Sequence, residues 1–117
     1  MTEKKVGILA GKFKPPHRGH FQAIKDIDKM NDETHVFISP IELDGITGTI
    51  SEKILLEYFK DQINDDPTIF FHIAKASPVK EALTFISELG DKQNAQNVQV
   101  NVYALSDDMA RFKTLDN

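Results

Sequence analysis

The chain has 117 residues, 40% of them apolar, and a formal net charge of −4, with a pI near 5.5. That mild acidity excludes a general attraction to nucleic acid or to an anionic membrane surface, and the absence of cysteine excludes disulfides and thiolate metal sites. The length fits a single domain over residues 1–117. No apolar run nears the roughly 20 residues of a transmembrane helix, and Met1-Thr2-Glu3-Lys4-Lys5 has no signal-peptide core, so a cytoplasmic protein is expected.

Strand and helix patterns alternate along the chain. Residues 6–10 (Val-Gly-Ile-Leu-Ala) are apolar throughout, as in a strand buried on both faces. A glycine-bearing turn follows, Gly11-Lys12-Phe13-Lys14-Pro15-Pro16-His17-Arg18-Gly19-His20. A helix is then expected over 19–30, with Phe21, Ile24 and Ile27 on one face. Asn31-Asp32-Glu33 reads as a turn and 35–39 as a second strand. Breakers fill 40–48. Thr49 and Glu52 fit a capping box for a helix carrying Ile54, Leu55, Tyr58, Phe59 and Ile63, ended by Asp65-Asp66-Pro67.

The third expected strand is 69–73. Ser77-Pro78 pairs a cap with a proline at the first helical position. The helix behind it has Val79, Ala82, Leu83, Ile86 and Leu89 on one face, with Gly90 as its stop. A polar loop over 91–97 leads to a half-exposed strand at 98–105. Ser106-Asp107-Asp108 then reads as the cap of a short last helix over 109–115. Alternation with crossovers predicts an α/β fold, a Rossmann-like parallel sheet with helices on both faces. Ligands in such sheets bind beyond the carboxyl ends of the strands. Those ends fall at 11–20, 39–48, 74–77 and 105–108.

The chemistry concentrates at 11–20. His17 and His20, three apart, share one face of a helix start, with Lys12, Lys14 and Arg18 nearby. Helix N-termini present unpaired N–H groups and favour anions, so the arrangement suits a polyphosphate. Two imidazoles are too few for a structural zinc, and no neighbouring thiol or carboxylate completes a set; no metal ligands are assigned. His35 and His72 read as packing or surface residues. Thr47, Thr49 and Ser51 read as capping residues.

The stretch Gly11-x-Phe13-x-Pro15-x-His17-x-Gly19-His20, after a first α/β strand, resembles the nucleotidylyltransferase superfamily with the HxGH signature. It looks closest to nicotinamide-nucleotide adenylyltransferase-like and phage-encoded cytidylyltransferase-like members. Residues 35–47, 76–79 and 106–112 look similar to later strand ends of those proteins. The resemblance implies attack by a phosphorylated small molecule on the α-phosphate of ATP or CTP, with release of pyrophosphate. It implies that His17 contacts the triphosphate and that His20 stabilises charge developing at the α-phosphate and leaving group. It places backbone N–H groups of Gly11, Lys12 and Phe13 on phosphate oxygens. Gly19 would let the nucleotide lie close to the helix start, and Lys12 and Lys14 would neutralise phosphates; a solvated turn residue is the other reading of Lys14, and a core plug under the loop that of Phe13. Ser106, Asp107 and Arg111 are candidates for the nucleotide site, with helix capping as the other reading of Asp107 and a surface role as that of Arg111. Mg²⁺ would be held mainly through the nucleotide. Neither nucleic acid nor membrane is implied as a partner, and a homo-oligomer is compatible with the resemblance.

One departure stands out. The family carries a second signature after a fifth strand, a serine/threonine-rich helix start followed by a base, which binds the β- and γ-phosphates. Here the sequence ends at Asn117, after the fourth expected strand. The fold is therefore expected to be C-terminally truncated. Either a longer protein or another subunit supplies the rest, or the chain is a nucleotide-binding module without turnover. A generic flavodoxin-like domain is a third reading, and it leaves the two histidines as coincidence. If the histidines donate to phosphate, binding should strengthen as they protonate, from roughly pH 7.5 to 6, although a neutral imidazole can still donate one proton.

Overall fold

The structure, a computed structural model, describes residues 4–65, 67–93, 98–105 and 112–115. In chain order the elements are β1 (Lys4–Gly11), α1 (Arg18–Met30), β2 (Glu33–Ile38), α2 (Gly48–Tyr58), α3 (Lys60–Asp65), β3 (Ile69–Ile73), α4 (Pro78–Gln93), β4 (Val98–Leu105) and β5 (Phe112–Leu115). The sheet order is β3-β2-β1-β4-β5. The first four strands are parallel, and β5 runs antiparallel to β4. This is an α/β fold built on a parallel sheet.

The apolar run of β1 occupies the centre. Ile8 lies opposite His35 on β2 and Val102 on β4. Successive side chains point to opposite faces of a strand. Leu9 therefore packs with Val36, Ile38, Ile24, Ile27 and Leu55 on one side. Val6 and Ile8 pack with Phe37 and Ala82 on the other. Helices α1 and α2 cover the first face and α4 the second, so both faces are covered.

The chain steps outward from β1 to β2 to β3, then returns to β4 on the far side of β1. Such a reversal makes a topological switch point between β1 and β4, where open α/β sheets bind ligands. Because the strands are parallel, the loops after β1, β2 and β3 emerge at one edge, as expected.

Four local expectations are corrected. Thr47, not Thr49, caps α2: its hydroxyl accepts from Ile50 N–H at 3.2 Å. The reason is Gly48, where a Cβ would come within 2.9 Å of the Ser39 carbonyl oxygen and 3.1 Å of Pro40 Cα. Only glycine lets the helix start so close to the end of β2, and the cap falls one residue earlier. The single helix expected to Asp65 is interrupted at Phe59, where φ of −96° and ψ of 12° leave the helical range although Phe59 N–H still bonds Leu55 O at 3.0 Å. Helix α4 continues through Gly90 to Gln93, since glycine costs a helix only about 1 kcal/mol and does not by itself end one. Residues 112–115, expected as helix, form β5, with Phe112 opposite Leu105 and Leu115 opposite Val102. There tertiary pairing overrides a local capping signal. Ser77 does cap α4, accepting from Lys80 N–H. Among the described residues no helix is long and apolar enough to cross a membrane.

Candidate functional site

The loop from β1 to α1 is held from below. Phe13 is 1% exposed and adopts φ of +53°, a left-handed conformation that bulky residues seldom take. Two contacts explain why it holds. The ring is part of the main core cluster, and its carbonyl accepts the hydroxyl of Ser51, itself fully buried on α2. The Lys14–Pro15 peptide is cis.

His17 is the N-cap of α1, with extended backbone. Its Nδ1 accepts from Gly19 N–H at 3.1 Å, and His20 Nδ1 accepts from His17 N–H at 3.1 Å. The two histidines thus form a reciprocal capping box, the place usually filled by serine or threonine with glutamate. Their rings stack at 3.8 Å, and the edge of Phe13 meets His20 at 4.9 Å.

This geometry fixes the tautomers. An Nδ1 that accepts a hydrogen bond carries no proton, so each neutral ring carries its proton on Nε2. Neither Nε2 has a hydrogen-bond partner among the described residues, and no buried side-chain nitrogen or oxygen there lacks a partner. Both Nε2–H groups therefore reach solvent at the positive end of α1, whose first turn holds no acidic residue. Burial, reinforced by the charge of His17, pushes the pKa of His20 down to about 4. The expectation that both histidines gain charge between pH 7.5 and 6 is corrected for His20. It is a neutral donor across that range, and protonating its Nδ1 would break the cap.

The other expected site residues divide. Gly19 lies at the helix start, but its N–H is committed to His17. Lys12 is exposed beside the loop. Lys14 donates to the carbonyls of Lys12 at 2.7 Å and Ser39 at 2.8 Å, and burial lowers its pKa from the ordinary lysine value. Gly11 accepts from Ser39 N–H at 3.0 Å. Ser106, Asp107, Asp108 and Arg111 lie outside the described residues. Ser39 and Ser51, which anchor the loop, escaped sequence reasoning as site residues. The one available signal was a serine four residues before Leu55 on the buried face of a helix.

The second pair, His35 and His72, packs as expected. His35 is 8% exposed. It bonds Glu33 through Nε2 at 3.1 Å and His72 Nε2 through Nδ1 at 2.9 Å, beneath Phe85 of α4. Among the described residues, no group of three or more histidines, aspartates or glutamates is placed to hold a metal ion. An apolar groove of 580 Å³ lies between α1 and α2, lined by Phe21, Ile54 and Tyr58 among others, and neither site histidine lines it. No family model matches the chain, and none of the curated proteins compared with it matches.

Proposed function

We propose that the chain is a nucleotidylyltransferase domain of the HxGH type, taking ATP or CTP as its Mg²⁺ salt and a phosphorylated small molecule as acceptor. The observation that carries this reading is the reciprocal cap. It spends both Nδ1 atoms on the helix start and leaves two Nε2–H donors on stacked rings beside the sheet's switch point, at a helix end that favours anions. Mg²⁺ would enter with the nucleotide, held mainly through its phosphate oxygens.

In the reaction, an oxygen of the acceptor phosphate attacks the α-phosphorus. A bond forms from that oxygen to the α-phosphorus, and the bond from the α-phosphorus to the oxygen bridging to the β-phosphate breaks. The electron pair leaves with pyrophosphate. No side chain acts as nucleophile and no proton need move. The chain's part is positioning and charge stabilisation. His20 is backed by Phe13 and held neutral, so it donates from Nε2 without changing protonation. His17 donates from the adjacent stacked ring, and Lys12 adds positive charge at the loop.

Calorimetric titration of Mg-ATP and Mg-CTP into the chain and into His17→Ala/His20→Ala tests the reading. Saturable binding of one nucleotide, lost in the variant, supports it, and binding unchanged in the variant refutes it. Pyrophosphate release with a panel of phosphomonoester acceptors then separates a transferase from a module that binds without turnover.

A further inference from the structure

Lys14 is a cation without a carboxylate partner among the described residues. Two of its three ammonium protons are already placed, on Lys12 O at 2.7 Å and on Ser39 O at 2.8 Å. These acceptors belong to different segments, one following β1 and one following β2. Ser39 is itself a junction. Its N–H donates to Gly11 O, its hydroxyl accepts from Ile41 N–H, and its carbonyl faces the glycine start of α2. One tetrahedral ammonium reaching two convergent carbonyls at these distances is a point-donor geometry, which the planar fork of arginine does not reproduce.

We propose that Lys14 is a positioning residue: its ammonium clamps the loop that carries His17 to the end of β2, and so holds the two Nε2–H donors in register, instead of binding phosphate itself. This rests on the nucleotidylyl-transfer reading for its functional meaning. The clamp itself is testable without any nucleotide.

The test compares the full chain with Lys14→Met, which keeps the stem and loses the donors, and Lys14→Arg, which keeps the charge and loses the point geometry. Three quantities are measured: amide exchange at Ser39 and Ile41, imidazole ¹⁵N shifts of His17 and His20, and affinity for Mg-ATP and Mg-CTP. In both variants exchange at Ser39 and Ile41 should quicken roughly tenfold, the size of one lost charge-assisted bond. His17 should then show mixed tautomers in place of the pure Nε2–H form. Exchange at Glu81, whose N–H is bonded to Ser77 at the start of α4, should stay unchanged and so report an intact fold. Unchanged exchange and tautomers in both variants would overturn the clamp. So would a loss of nucleotide affinity in Lys14→Met that Lys14→Arg restores, because that pattern marks a phosphate contact. Should Lys14→Met not fold, Lys14→Arg decides alone. If the unaltered chain binds neither nucleotide, the transfer reading fails, while exchange and tautomers still decide the clamp.

Discussion

Two pairs of histidines sit in one small fold and do opposite things with the same atoms. In His17 and His20, backbone N–H groups occupy both Nδ1 atoms, and both Nε2 atoms face outward. In His35 and His72, both ring nitrogens of His35 and Nε2 of His72 are consumed inward. Glu33 takes one side of His35 and His72 the other, and Lys4 holds Glu33 at 2.6 Å. Both pairs stack, at 3.8 Å and 5.2 Å between ring centroids. Stacking therefore does not separate a site from a core. What separates them is what holds the rings: backbone N–H groups of a helix start in one pair, side chains of the sheet in the other.

The sharpest way to break this comparison is to remove the outward pair. In His17→Ala/His20→Ala, loss of two hydrogen bonds to a charged ligand should weaken nucleotide binding by about 100-fold or more, as read by calorimetry. His17→Ser refines the test, since serine keeps the cap and removes the donor. Its melting temperature should stay within a few degrees while binding falls. The inward pair should behave in reverse. His35→Ala leaves a cavity and strands His72, so it should cost roughly 2–4 kcal/mol of stability with nucleotide affinity unchanged within about twofold. A fall in affinity there would dissolve the distinction. Ser51→Ala removes the buried bond to the Phe13 carbonyl and should cost about 1–3 kcal/mol in chemical denaturation.

The pH profile is a smaller and more general effect. Burial lowers the pKa of His20, His35 and His72 below the free value, with Glu33, Lys4 and Glu81 as the charged neighbours of the inner pair. The unfolded chain takes up protons near pH 6.5, and the folded chain does so only at lower pH. The unfolded state then binds more protons, so stability falls as pH drops from about 6.5 toward 4. Melting temperature should decrease by roughly 5 °C between pH 7 and pH 5, and His35→Phe should flatten part of that slope. The smallest effect belongs to Gly45→Ala. Asp44 and Gly45 form a two-residue hairpin turn with φ of +53° and +83°, and alanine there should cost about 1 kcal/mol without touching the site.

Much of this fold was legible because its signals were local. The apolar run of β1, the bounds of β3 and β4 and the Ser77 cap follow from periodicity and capping chemistry. Two of the failures share a cause, a partner elsewhere along the chain. Gly48 sets the start of α2 because Ser39 and Pro40 press against it. Residues 112–115 follow β4, whatever their own cap suggests. At the site, the spacing of His17 and His20 pointed to a shared helix face. It did not say that each histidine would help support the other, or that Lys14 would reach 25 residues along the chain to Ser39.

The reciprocal cap also constrains how this sequence can change. His20 supplies the acceptor for His17 N–H, and His17 supplies the acceptor for Gly19 N–H. Losing either leaves a helix start with an unmet donor and its neighbour unsupported. The two positions are therefore epistatic: in a double-mutant cycle the second substitution should do less harm than the first. Drift away from the pair has one gentle exit, a small hydroxyl or carboxylate at position 17, which mends the helix and abolishes the donor in a single step. Descendants that have lost the site should carry that substitution more often than alanine.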